Sequence, residues 1–191
     1  MIEVNAIREK KQIEGMKRIL KANNMRDYLL FVIGINVGLR VSDLLGLRIS
    51  DVITINGKVK PEVTVHEGKT KKARTFTINK SASNGIKEYL SSLDNKYGMD
   101  WFLFRSRKGN NKPISRVQAW QVLSDGAKLI GITETIGTHT LRKTFGYWAY
   151  KQGIDITVLQ DIFNHSTPKI TLRYIGIAKE DRVNVYNNLN L

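Results

Sequence analysis

The sequence predicts a mainly α-helical chain with a small antiparallel β-sheet, an α+β class. Three observations lead there. Apolar residues recur at intervals of three and four along most of the chain, as at Ile13, Met16 and Leu20. One stretch, from Val52 to Ile78, departs from that period and alternates apolar with polar residues at Val63, Val65, Phe76 and Ile78. Residues that cap helices stand ahead of several periodic segments, at Ser115, Thr138 and Asp155.

The elements follow in order. Lys10 to Ala22 reads as an amphipathic helix with charge between its apolar positions. Residues 27–36 are apolar enough for a buried helix, which Gly38 ends. A short helix follows from Val41 to Leu47. Val63 and Val65, then Phe76 and Ile78, form two runs with Gly68 between them, a hairpin or part of a three-stranded sheet. Ser81 to Lys96 returns to a helix with Ile86, Tyr89, Leu90 and Leu93 on its apolar face. Trp101 to Phe104 is a short buried run. Ser115 caps a helix reaching Ile130, Thr138 one reaching Gln152, and Asp155 one reaching Phe163, with a last helix over 179–189. With three prolines (Pro61, Pro113, Pro168) and no repeat or low-complexity tract, residues 1–191 read as a single domain.

Composition narrows the function. A chain of 191 residues, 41% hydrophobic, can bury one core. Its 31 Lys and Arg against 17 Asp and Glu give a net charge of +14, which favours a polyanionic partner, most often nucleic acid. The alternative is a basic protein that binds no polyanion. A membrane is disfavoured: there is no long apolar stretch, and no amphipathic segment sets Lys and Arg opposite Trp and Phe. Met1 to Asn5 lacks the apolar core of a signal peptide. The absence of cysteine excludes disulfides, iron–sulfur clusters and cysteine-based zinc sites, and fits a reducing cytoplasm. Without a His-x-x-x-His pair, clustered carboxylates or the glycine spacing of a nucleotide-binding loop, no metal and no cofactor is expected.

The residues that could carry chemistry are few. Arg40 lies in Gly38-Leu39-Arg40-Val41-Ser42-Asp43-Leu44, at a helix start where its planar fork could face a phosphate. Asp43, three residues on, would share a helical face with Arg40 and orient it; a plain surface ion pair is the alternative. His139 and Arg142 are also three apart, so one helix face would carry both. Two such groups repel when the imidazole is protonated, and their pairing makes most sense around an anion. Taken alone, His139 could simply bond the backbone near a helix start. His165 follows the helix ending at Phe163, and Tyr174 comes nine residues later; most tyrosines are core residues with a bonded hydroxyl. Of three histidines only His66 falls outside this set, as a solvated strand residue. Two basic runs, 58–80 and 105–116, fit a phosphate-tracking surface, although charge runs are commonly just solvated faces.

Together Arg40, Lys69, His139-x-x-Arg142, His165 and Tyr174 resemble, in order and spacing, the catalytic signature of the tyrosine recombinase (phage integrase) family. The resemblance runs from about Ile13 to Tyr174. Gly38 to Leu44 is similar to the family's first arginine motif. Gly68 to Arg74 is similar to the hairpin that carries its lysine, with Lys69 the best match and Lys71 and Lys72 as rivals. Thr138 to Arg142 and Asn164 to Tyr174 are similar to the second and third boxes.

That resemblance implies the family's catalytic-domain fold and its chemistry. Tyr174 would attack the scissile phosphate and release a 5′-hydroxyl. Arg40 and Arg142 would neutralise the non-bridging oxygens, and Lys69 would protonate the leaving oxygen. His139 and His165 would assist proton transfer, with Asp43 in support. Lys71, Lys72, Arg74, Arg105, Arg107, Lys108, Lys112, Arg116 and Lys143 would contact the DNA. The partners implied are double-stranded DNA, further protomers in a tetramer on that DNA, and accessory DNA-bending or core-binding proteins, in the cytoplasm on the nucleoid.

Three positions depart from the family pattern. Asn164 replaces a glycine, a mild change if the turn needs positive φ. Lys143 stands where a histidine often follows the second arginine, and Ile175 and Gly176 follow the tyrosine in place of a nearby histidine. Only about 40 residues precede Arg40, so the chain is either a fragment or a minimal member without the separate N-terminal domain. Residues 179–191 could dock on a neighbouring protomer or pack on their own domain. The expected activity is that of a site-specific recombinase. Its rivals are a type IB topoisomerase-like relaxing enzyme and an inactive DNA-binding regulator with the same fold. An RNA-binding protein is disfavoured by the lack of a glycine–aromatic motif.

Overall fold

The computed structural model describes residues 4–68, 72–94, 96–177 and 186–187, and these are mainly helical with one small antiparallel sheet. In order, the elements are α1 (Lys10–Asn23), α2 (Met25–Val37), α3 (Val41–Leu45), α4 (Ile49–Val52), β1 (Glu62–His66), β2 (Ala73–Thr77), α5 (Lys80–Ser91), α6 (Arg116–Leu129), α7 (Thr138–Lys151), α8 (Ile156–Phe163) and α9 (Pro168–Tyr174).

The middle of the core is α2. A helix apolar on every side must be buried on every side, and Leu29, Leu30, Phe31, Val32, Ile33 and Val37 are all buried. Helices α1, α5 and α7 pack around it. Each Leu or Phe sealed there stabilises the fold by about 1.5–3 kcal/mol. Asn24 caps α2 by accepting from Arg26 N, and Gly38 closes it with φ of 59°. Along α2, Gly34 lets α7 come close: a Cβ at residue 34 would stand 2.5 Å from Cδ1 of Leu141. This contact sets α7, with His139 and Arg142, against the end of α2.

The alternating stretch forms a two-stranded hairpin, β1 against β2, with Val63 opposite Phe76. The region before it does not add a third strand. Ile53 and Val59 pair with each other in an isolated bridge, because Thr54 to Gly57 turn the chain back within four residues. The run at Trp101 to Phe104 is buried at Leu103 and Phe104 and held by backbone bonds to Leu47 and Ile114.

Several boundaries differ from the sequence reading. Helix α5 begins at Lys80 because Asn79 caps it, and it stops at Ser91, short of Lys96. Thr138 is the first residue of α7 and not its cap; Gly137 takes that place, its N–H donating to Thr140 Oγ1 at 3.0 Å. Ser115 and Asp155 cap α6 and α8 as expected. Two short helices were not anticipated. One is α4; the other is α9, where Thr167 caps and Pro168 occupies the first turn, so that Tyr174 sits at a helix end. Apart from 186–187, the helix expected over 179–189 lies outside the described residues, as do Lys69 and Lys71.

Candidate active site

Four segments, from Gly38 to Tyr174 along the chain, meet beside the end of α2. Gly38 reverses the chain there, and Arg40 follows as the extended N-cap of α3, with φ of −66° and ψ of 146°. Its guanidinium reaches the end of β1, where Nη1 lies 2.5 Å from Oε2 of Glu67, a carboxylate only 4% exposed. The pair is close but poorly directed: Nη1 is sealed from solvent and has no acceptor in line with its N–H. The contact is an ion pair, and 19% of the Arg40 side chain remains exposed.

Among the described residues, no hydrogen bond or ion pair joins the Asp43 carboxylate to the Arg40 guanidinium. Because Arg40 is an extended cap and not part of the helix, the i,i+3 relation that would align the two does not apply. Asp43 instead accepts from the backbone N–H of Gly68 at 3.0 Å, tying the hairpin turn to α3. Arg74 also departs from its expected place on a DNA-facing surface. On β2 it shares the inward face with Phe76, and its guanidinium donates to Val37 O at 3.1 Å and lies 3.5 Å from Glu67.

Arg142, on the first turns of α7, is 3% exposed. Nη1 donates to Gly38 O at 2.6 Å and Nη2 to Phe163 O at 3.0 Å, while the plane lies over the Phe163 ring, 4.5 Å from its centroid. Burial, reinforced by the neighbouring Arg74, lowers its pKa to about 10, and it stays charged at neutral pH.

The third and fourth segments bring His165 and Tyr174. Asn164 closes α8 in the left-handed region, φ 51°, so the positive φ posited for this turn is realised. The ring of His165 then meets Tyr174 edge to face at 5.1 Å, and its Nδ1 lies 3.1 Å from Thr171 Oγ1. The Tyr174 hydroxyl lies 3.5 Å from Nδ1 of His139, at the long edge of hydrogen-bond range. Burial pushes the phenol above its ordinary pKa; Arg142 and Arg40 pull against that. Tyr174 is therefore protonated at neutral pH and needs a proton acceptor to become a nucleophile.

Both histidines lie below the ordinary imidazole value. For His165 burial is the main cause, followed by Arg142 and Arg40. For His139 burial also leads, then Arg116, Arg142, Lys143 and Arg40. His139 is open to solvent on one side, so its shift owes much to these four cations. Neutral imidazoles can accept a proton or hydrogen-bond an anion.

The structure thus brings together Arg40, His139, Arg142, His165 and Tyr174. Lys143 is buried on α7, with its ammonium 5.5 Å from the centroid of the Tyr174 ring. Arg107, Lys108, Lys112 and Arg116 are exposed on the stretch entering α6, Lys72 is exposed at the hairpin, and Arg105 stacks on Trp101 at 3.5 Å. Glu67 carries no signal in the sequence that would single it out; only the fold puts it between two arginines. Among the described residues, no three His, Cys, Asp or Glu side chains are grouped to hold a metal, and no helix is long and apolar enough to cross a membrane.

Comparison with known proteins identifies the family. The sequence profile of the phage integrase family matches residues 7–181, and the chain belongs to that family. It is 45% identical over 178 residues to the probable integrase/recombinase YoeC of Bacillus subtilis, covering 93% of this chain and 92% of that protein. It is 30% identical over 168 residues to the tyrosine recombinase XerC of Thermodesulfovibrio yellowstonii, covering 85% of this chain and 54% of the relative, so it spans about half of that longer protein. The fold is similar to the crystal structure of XerA recombinase, with a TM-score of 0.78 at 19% identity, covering all of this chain and 68% of that one. It is also similar to the Tn1549 transposon integrase in complex with transposon right end DNA, with a TM-score of 0.71 at 19% identity, covering 97% and 66%.

Proposed function

We propose that the chain is a site-specific DNA recombinase that cuts and rejoins double-stranded DNA through a phosphotyrosine. The single observation that carries this reading is the convergence of the Tyr174 hydroxyl, the His139 ring and the buried fork of Arg142 on one pole of the molecule. The phenol oxygen forms a bond to the scissile phosphorus at the 3′ side, and the bond from phosphorus to the 5′ oxygen breaks. The phenolic proton passes to His139, and Lys69 donates one to the departing 5′ oxygen. Arg40 and Arg142 neutralise the non-bridging oxygens, with His165 as a further donor. The phosphotyrosine conserves the ester, so a 5′-hydroxyl from a second strand can reverse the step without cofactor.

The net charge of +14 and the exposed cations at 107, 108, 112 and 116 support a DNA partner. Within this reading residues 1–191 act as one catalytic domain, assembled as a tetramer on DNA with accessory bending or core-binding proteins, in the cytoplasm on the nucleoid.

The test uses duplex oligonucleotides tiled across the DNA flanking the chain's own gene, each nicked so that cleavage releases a short 5′-hydroxyl fragment. Wild type should yield a covalent adduct on a denaturing gel, and Tyr174→Phe should bind the same duplex without one. Adduct persisting in Tyr174→Phe would overturn the assignment. Exchange between two duplexes separates recombination from relaxation of a single one.

A further inference from the structure

Glu67 is a buried carboxylate that the chemistry above does not use. It directly follows the hairpin strand β1, at 3% exposure. One oxygen lies 2.5 Å from Arg40 and the other 3.5 Å from Arg74. Arg74 in turn donates to Val37 O at 3.1 Å and Gly38 O at 3.4 Å, and Gly38 O also receives Arg142. A continuous chain of polar contacts therefore joins Arg40 to Arg142 through Glu67, Arg74 and one carbonyl.

Three guanidiniums held this close repel one another. Arg40 works against the charge on both Arg74 and Arg142, and Arg74 works against that on Arg142, while Glu67 favours the charged forms of Arg74 and Arg142. A carboxylate at this point holds Arg40 against that repulsion. Arg40 keeps 19% of its side chain exposed in this pair, so its guanidinium can still meet an anion.

We infer that Glu67 is a positioning residue for the strand-cleavage step, holding Arg40 in register with Arg142 so that both meet the same phosphate. The inference rests on the function proposed above. Glu67 touches neither the DNA nor the reacting atoms; it acts through Arg40.

The experiment compares wild type, Glu67→Gln and Glu67→Asp on the nicked duplex that yields adduct. It uses two versions of the scissile linkage: the ordinary phosphodiester and an uncharged methylphosphonate. On the phosphodiester, Glu67→Gln should form adduct on the order of 10²-fold more slowly. Its affinity for the duplex should be equal or greater, because a negative charge has been removed. Glu67→Asp, which keeps the charge, should recover most of the rate. On the methylphosphonate there is less charge for Arg40 to neutralise, so the gap between wild type and Glu67→Gln should shrink toward unity. A purely structural defect would instead slow both linkages alike. Equal rates on the phosphodiester, or an undiminished gap on the methylphosphonate, overturn the inference while leaving the proposed function standing. Should Glu67→Gln fail to fold, Glu67→Met, uncharged and of similar size, takes its place in the same comparison of the two linkages, with the same outcomes expected and the same outcomes overturning the inference. If wild type forms no adduct with any duplex, the proposed function falls first and this inference with it.

Discussion

The carbonyl oxygen of Gly38 accepts a hydrogen bond from Nη1 of Arg142 at 2.6 Å, across 104 residues of chain. The same guanidinium donates to Phe163 O. Two carbonyls on separate elements thus aim the fork, and a point charge could not satisfy both and still face an anion. Arg142→Lys should therefore slow adduct formation by about 10²–10³-fold. Thermal unfolding should report a loss of about 2–3 kcal/mol. Near-wild-type cleavage by the lysine variant would mean that charge alone suffices.

The histidines predict a pH dependence of stability. Both titrate below the ordinary value in the fold. In the unfolded chain they take up protons near 6.5. Between the two values the unfolded chain holds more protons, so stability rises with pH there and is lost as pH falls through 6.5. The drop in Tm from pH 7.5 to 5.5 should be smaller in His139→Gln/His165→Gln than in wild type; equal drops would count against the assignment.

A bound phosphate reverses that preference. An anion among His139, His165, Arg40 and Arg142 raises both imidazole pKa values, so binding takes up protons. Affinity for duplex DNA, followed by fluorescence anisotropy, should strengthen between pH 7.5 and 6 in wild type and stay flat in the double variant. An equal gain in both would place the proton uptake elsewhere.

At Asn164 the prediction concerns backbone strain. Its φ of 51° is tolerated by Asn and is free of cost to Gly. Asn164→Gly should be neutral or stabilising by up to ~1 kcal/mol, and Asn164→Val should cost about 1–2 kcal/mol. Because His165 follows directly, the valine variant should also lose cleavage. A valine variant with unchanged Tm would contradict the strain argument.

The exposed cations make a prediction in salt. Arg107 and Lys108 are open to solvent on the stretch entering α6. If each meets a phosphate, replacing both by alanine should reduce the slope of log affinity against log salt by about 2. Cleavage at saturating DNA should be unaffected. An unchanged slope would move the contact surface elsewhere.

Much of this protein is written locally. Apolar spacing identified α1 and α5, a continuous apolar run ended by Gly38 identified α2, alternation identified the hairpin, and Ser115 and Asp155 marked the starts of α6 and α8. The order of Arg40, His139, Arg142, His165 and Tyr174 was legible too, because residue types and spacing along the chain need no fold to be read. Local signals failed where elements were short: α4 and α9 each span too few residues for a period to emerge.

What the sequence alone determined was therefore which of the longer helices form, which stretch makes the hairpin, and which side chains could share a task. The tertiary structure alone decided their pairing. It turned Arg74 inward, gave Asp43 to Gly68, and set Glu67 against Arg40. Those contacts depend on how closely α2 and α7 approach at Gly34 and how the hairpin folds back on α3. Such distances come from the packing of side chains remote in sequence, which no local pattern records.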